Sequence, residues 1–430
     1  MEIKEQVTKP KQLRKSQLFA LSIQHVVSMV VGCITVPIIA SSVARLNTEN
    51  RIAMIQASLL SAGIAVLIQA LDKRKIIGSG LPVIVGSGFA FIAVMSSVAV
   101  NYGISYVFGA QLIASLCGLL FGFFYRYIKI LFAPIVKAVV VMTIGISLSS
   151  TAVDYLAGSI NSKFYGTPKS WALGIFTLVI TIIYSHYGKG IIKAASTLLG
   201  LITGYVTGLV FNLVHFDSMI DQPTFRILKP FSFGLDFHLA AIVPFVIITL
   251  ISAVQDMGQI EATTHGLWGR SAHDAEIRGG IIGDNLGTLI GAVFGGAPNA
   301  IAGQNVGIVV TTQIIDKLVF VLAGGMLILI GFFPRVAAGF LTIPYSVLGG
   351  ATIAVFGSIA TTGMKMLAAA GMSKRNLSIA GLSLAIAIGI TYHGDAFSQF
   401  PNWVYSIFGN AIVLSALVSI VLNLTLPQEK

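Results

Sequence analysis

Residues 296–307 read GAPNAIAGQNVG, and residues 80–91 read GLPVIVGSGFAF. Each sets a proline ahead of small residues, runs on to glycines beside polar or aromatic groups, and lies within an apolar stretch. Pro82 and Pro298 stand about half the chain apart, and the strings FAPIVKAVVVMTIGIS around Pro134 and TIPYSVLGGATIAVFGS around Pro344 repeat that separation. Proline has no N–H, glycine weakens a helix, and hydrocarbon offers no water to the freed backbone groups. An interrupted segment at membrane depth is therefore tolerated only when it is buried in protein or lines a cavity. Two such segments would bring free backbone groups and half-helix N-termini together near the midplane as a small-molecule site. The bland alternative is a pair of kinked helices.

A membrane setting follows from composition. The 430 residues are 55% hydrophobic and 10% charged, with a mean hydropathy of +0.88. A soluble domain carries about a quarter charged residues, so soluble enzymes, nucleic-acid-binding domains and disordered tails are excluded as readings of the whole chain. With about 20 apolar residues per span, fourteen candidates emerge. The first seven are 17–42, 52–71, 80–99, 105–125, 128–151, 169–186 and 190–213. The second seven are 237–262, 278–297, 298–314, 317–333, 336–360, 376–392 and 402–425. The third and tenth are weak as continuous helices. This is an all-α integral membrane protein with a basic tail (1–16), a first repeat (17–213), an external linker (214–236), a second repeat (237–425) and a short C-terminal tail (426–430). Seven spans is an odd number, so the second half would enter inverted, as in many secondary transporters.

Lys and Arg number 27 against 16 Asp and Glu. Most of the 27 fall in segments that share a side with both termini, which places those termini in the cytoplasm. A bacterial inner membrane fits the short, basic ends. The first apolar run is too long for a signal-peptide core and reads as a retained helix. Cys33 and Cys117 both lie in apolar runs and suggest inert residues. No metal, nucleotide or nucleophile motif stands out, so neither an enzyme nor a cofactor is expected.

Polar residues inside spans are costly and deserve individual reading. Gln24-His25 could orient a site, carry a proton or form an interhelical hydrogen bond. Gln255 and Gln259 share a helix face, on which two amides can recognise a ring bearing donors and acceptors. Asp256 points about 100° away, as a coupling acid, an ion-pair partner or a cap. Asp284 interrupts a glycine-rich span and suits proton coupling or site organisation. Gln304 and Asn305 follow the second broken segment, where amides make bidentate contacts with a heterocycle. Lys137 is placed to snorkel toward the cytoplasm. Gly200, Gly204 and Gly208 mark close helix packing.

Taken together, the Gln-His, GSGFAF, Gln-Asp-Met-Gly, Gly-Asp-Asn and APNAIAGQNVGIVVTT strings resemble the nucleobase:cation symporter-2 family. That family comprises the nucleobase–ascorbate transporters and the bacterial xanthine, urate and uracil permeases. The resemblance runs from about residue 17 to 425, and IPYSVLGGATIAVFG also fits it. It implies a 7+7 inverted repeat with broken third and tenth spans, a core domain (spans 1–4 and 8–11) and a gate domain (spans 5–7 and 12–14). The base would meet backbone at Phe89 and Gly303, Gln304 would read its edge, and Gln255 would make the second bidentate contact. His25, Asp256, Asp284 and Asn305 would organise the site or couple transport. An elevator-like movement would be driven usually by a proton and sometimes by sodium, and homodimers are a family expectation. Two departures stand out. Gln255 occupies a position that is usually glutamate, which removes a proton acceptor, and Lys137 stands where small or hydroxyl residues are usual. Gln304 leans toward purines over uracil. The rival readings are an uncoupled facilitator for uracil or another nucleobase, and an anion carrier of the sulfate or bicarbonate type with the same fold.

Overall fold

The computed structural model describes residues 14–427, apart from 73, 129–131, 161, 215, 217, 218, 220, 221, 398, 401–403 and 405–407. Most of the basic tail, Lys73, Lys129, the linker residues His215, Asp217 and Asp221, the start of the expected fourteenth span and residues 428–430 lie outside the described residues.

Ahead of the polar stretch at 214–236 come α1 (Lys15–Val43), α2 (Thr48–Leu71), β1 (Val85–Ser87), α3 (Ile92–Asn101), α4 (Ile104–Phe123), α5 (Tyr125–Ile128), α6 (Pro134–Leu156), α7 (Pro168–Tyr187), α8 (Ile191–Ala194) and α9 (Ser196–Val210). After it come α10 (Leu239–Trp268), α11 (Asp274–Phe294), β2 (Asn299–Ile301), α12 (Gly303–Thr312), α13 (Lys317–Gly331), α14 (Pro334–Leu341), α15 (Tyr345–Ala370), α16 (Lys374–Tyr392) and α17 (Ala411–Thr425). Seven of these, α1, α2, α4, α6, α7, α10 and α15, are long and apolar enough to cross a bilayer. The chain is a multi-pass helical membrane protein. Its outer faces are apolar: Ile175, Val179, Ile182 and Ile183 of α7 are exposed, as expected where the neighbour is lipid.

Proline sets several boundaries. Pro134 and Pro168 open α6 and α7 at the first helical turn, where a missing N–H costs nothing. The expected span 336–360 is instead two elements. The chain bends by 83° between α13 and α14, and Pro344, as the N-cap of α15, ends the preceding helix and shifts the long span to Tyr345–Ala370. Similarly, α10 runs beyond the expected residue 262 to Trp268, where Gly269 adopts a left-handed conformation (φ 64°) and stops it.

Two groups of helices pack internally. In one, α2 lies along α13, α4 lies against α10 and α11, and α1 joins α2 and α13; in the other, α15 lies along α6, and α7, α9, α16 and α17 surround them. The α6–α15 contact is backbone-close: a Cβ on Gly349 would strike the Leu156 backbone, and one on Gly145 the backbone of Phe356 and Ala360. Gly200 and Gly204 sit against Thr181 and Thr177 of α7, the packing their spacing suggested.

The segments that lead into the strands are held by buried glutamines. Gln69 of α2 accepts from the Ser79 N–H (2.8 Å) and donates to the Gly280 carbonyl (2.8 Å). Gln111 of α4 donates to the carbonyls of Thr288 and Gly296, and the Ala297 N–H donates to the Ser58 hydroxyl. Asp72, just beyond α2, accepts from the N–H groups of Arg74, Ile76, Ile77 and Gly78. Burial works against its charge, but these four donors outweigh it and hold the carboxyl below the usual carboxylate range. Lys75 and Arg270 both reach Glu276, tying this loop to the α10–α11 turn.

Candidate functional site

β1 and β2 pair antiparallel, Val85 with Ile301, Gly86 with Ala300 and Ser87 with Asn299. The Gly88 N–H extends the ladder to the Pro298 carbonyl (2.8 Å), and the Ala302 N–H to the Ile84 carbonyl (2.9 Å). Neither stretch is a continuous helix: each strand turns directly into helical backbone, at Phe89 and at Gly303. No side chain caps either start, so both present free N–H groups and a positive dipole end.

A cavity of about 70 Å³ opens at this crossing. Phe89, Gln255, Gly303 and Gln304, the four residues assigned to substrate contact, all line it, together with Gln259. The opposite wall belongs to the second helix group, through Val141 of α6 and Val355, Ser358 and Thr362 of α15. Gln259 lies close to Gly303, since a Cβ there would sit 3.0 Å from its amide nitrogen. The helical spacing of Gln255 and Gln259 had put these amides on one face, but the binding set had left Gln259 out. Ser358 and Thr362, four residues apart on α15, were missed; their spacing was the available signal. The Phe89 ring meets Phe356 of α15 edge-on at 5.2 Å between centroids, so it bridges the two groups. Three amides give this wall both donors and acceptors.

His25, Asn305, Asp256 and Asp284 do not line the cavity; they stand behind it. The Asn305 amide donates to the His25 carbonyl and to its Nδ1, both at 3.1 Å, which leaves the ring proton on Nε2 and fastens α12 to α1. The His25 ring packs on Phe320 of α13 at 5.0 Å. Asp256 Oδ1 accepts from the Ile301 N–H at 2.7 Å, and Thr288 Oγ1 accepts from the Asn299 N–H at 3.0 Å. These two side chains satisfy the edge of β2 that faces away from β1. Asp284 of α11 adjoins Asp256. Lys137 is half-buried and within electrostatic reach of Glu261 on α10. Among the described residues, no three His, Cys, Asp or Glu side chains gather as a metal-binding group.

Comparison with known proteins follows the same lines. Among solved structures, the transmembrane domain of a cyanobacterium bicarbonate transporter, BicA, superposes with a TM-score of 0.57 at 16% identity, covering 95% of this chain and 98% of its own. That likeness concerns the fold. The xanthine permease of Bacillus subtilis is 32% identical over 94% of this chain and 92% of its own length. The nucleobase transporter PlUacP of Paenibacillus larvae is 32% identical over 96% of this chain and 95% of its own. The sequence profile described as "Permease family" matches residues 16–395. With four fifths and more of its length matched, and with relatives that are permeases and not enzymes, the chain belongs to the xanthine/uracil-type permease family, the nucleobase:cation symporter-2 family.

Proposed function

We propose that this chain is a secondary transporter that imports a purine nucleobase by cation symport. The observation that carries the reading is the convergence of Phe89, Gln255, Gly303 and Gln304 on one cavity between two separately packed helix groups. Relatives named for xanthine and nucleobase transport support it. Xanthine, urate and hypoxanthine each carry a ring N–H beside a carbonyl, a pattern that side-chain amides match in pairs, while the free N–H groups at Phe89 and Gly303 suit carbonyl oxygens.

In this reading α1–α4 and α10–α13 form the core, and α6–α9 and α15–α17 the gate, of fourteen spans in a 7+7 inverted repeat. The centre-to-centre antiparallel pairing of β1 with β2 supports that symmetry. At about 70 Å³ the cavity is far below the ~300–1,000 Å³ of small-molecule pockets, so a base enters only as core and gate move apart in an elevator-like shift. Both termini face the cytoplasm of an inner membrane, and the protein works as a homodimer. A second reading rests on Gln255: an amide takes up no proton, which favours facilitation without proton coupling. An anion carrier shares the fold, but among the described residues no Lys or Arg lines the cavity.

Uptake of radiolabelled xanthine, hypoxanthine, urate and uracil in a transporter-deficient bacterial strain, with and without a protonophore, tests these readings. Saturable uptake of one purine, abolished by the protonophore and by Gln304→Ala, is the expected result. Uptake that survives the protonophore supports facilitation or another ion. No uptake of any base, by a protein shown to reach the membrane, overturns the assignment.

A further inference from the structure

A groove of about 630 Å³ lies between α9 and α14 and shares no lining residue with the base cavity. Leu198, Leu201, Ile202 and Tyr205 line it from α9, at the spacings of three and four that mark one helix face. Gly339 and Phe340 line it from α14, and a Cβ added to Gly339 would meet nothing within 4 Å. With α13 as a span, α14, bent 83° from it, lies nearly in the plane of the membrane surface. Gly208 of α9 sits beside Pro344 at that level. From there to Leu198 the helix descends about 15 Å, half of the ~30 Å hydrocarbon core and so the depth of one acyl-chain layer. The one hydroxyl on the wall, Tyr205, is bonded to Thr342 at 2.8 Å, which leaves a heterocycle nothing to read. One charge stands on the groove, Arg335 of α14. Its Nε donates to the Gln222 carbonyl at 3.0 Å, and among the described residues no carboxylate pairs with it.

We propose that this groove binds a phospholipid from the leaflet on the side of the 214–236 stretch, with an acyl chain along α9 and the phosphate on Arg335. An apolar trough one leaflet deep that ends in a cation complements a lipid chain joined to an anionic headgroup, and a guanidinium takes phosphate oxygens in pairs. The position gives the lipid a mechanical role. α14 connects the two helix groups: it follows α13, packs on α2 and leads into α15, whereas α9 packs with α7 and α15. A lipid seated between α9 and α14 braces this connector beside the Tyr205–Thr342 bond.

The test uses the purified full chain, stripped of lipid in detergent, with dioleoylphosphatidylglycerol and dioleoylglycerol as probes. The two carry the same chains, with and without the phosphate headgroup. Native mass spectrometry counts bound lipid, and thermal unfolding reads the stabilisation that binding confers. The wild type should bind the phospholipid saturably with a rise in melting temperature, and dioleoylglycerol should need about tenfold more for the same rise. Arg335→Gln should weaken the phospholipid by about tenfold and bring the two probes level. Gly339→Leu, which puts a side chain into the open space, should hold one phospholipid fewer than the wild type and lose the shift while keeping the lipid-free melting temperature. If that variant fails to fold, Ile202→Trp, at an exposed position of α9, takes its place. An unchanged lipid count in the groove-filling variant, or equal binding of both probes by the wild type, overturns the proposal. So does a variant whose oligomeric state changes while its lipid count does not, which assigns the groove to a second copy of the chain. Neither readout uses transport, so the lipid site and the transport reading stand or fall separately.

Discussion

Gln255 and Gln304 face the same cavity from α10 and α12, and their chemistry makes separate demands. An amide neither gains nor loses a proton near neutral pH, so the base recognition proposed for these residues should be independent of pH. Gln255→Glu places a titratable carboxyl in the cavity, and uptake should become pH-dependent where the wild-type binding step is flat; a pH profile of the apparent affinity checks this. Gln304→Ala removes donor and acceptor together and should weaken binding by about 1–3 kcal/mol, roughly 5- to 150-fold, measured by competition for uptake. That these residues would line one cavity was legible in the sequence because each stands beside a break or on a periodic helix face. Asp256 was legible only in part. Its direction, away from Gln255, follows from helical geometry, but its partner, the Ile301 N–H 45 residues on, leaves no local trace.

At the scale of elements, the buried amides that hold the broken segments were not foreseen. Gln69 and Gln111 bond to carbonyls 211 and 177 residues away, and Gln56 to one 275 residues away; in the sequence they are single polar residues in apolar runs. The boundary at Pro344 escaped for a related reason, since apolar residues continue across the bend and hydropathy alone does not register it. Asp72 offers a test of the loop that leads to β1. Its carboxyl is held below the usual range by backbone donors, so its contribution is complete above the ordinary carboxylate pKa and fades as pH falls below it. Asp72→Asn should therefore lower the melting temperature at neutral pH, and the difference from wild type should shrink in acid. The α6–α15 contact makes a second test: Gly349→Ala drives a methyl into the Leu156 backbone and should cost about 1–3 kcal/mol, whereas Gly325→Ala, with open space around it, should be close to neutral. Thermal unfolding of the three proteins in one detergent decides.

For the molecule as a whole, the proposed transport cycle has two helix groups move past one another, and Phe89 and Phe356 mark where they touch. With Cys33 and Cys117 replaced, the uptake left in a Phe89→Cys, Phe356→Cys variant should be arrested when the two thiols are joined by a reducible bifunctional reagent and regained when the link is cleaved. Continued uptake by the linked protein would show that the groups need not separate. That the segments at Pro82 and Pro298 would meet was visible from paired prolines at matching distances, and the membrane class from composition. Which helices keep company depends on contacts between residues far apart in the chain, and periodicity carries little of that.

The two short strands also bear on how the chain is made. Among the described residues, Val85–Ser87 pair only with Asn299–Ile301, which leave the ribosome about 200 residues later, roughly 10–40 s at ordinary rates of synthesis. Throughout that interval the first strand lacks the backbone partners that complete its ladder. Insertion of the early helices cannot be the end of folding: they must wait, shielded by the translocation machinery or one another, until the later half arrives to complete them. A ribbon of six residues thus makes the two halves of the polypeptide mutually dependent from birth.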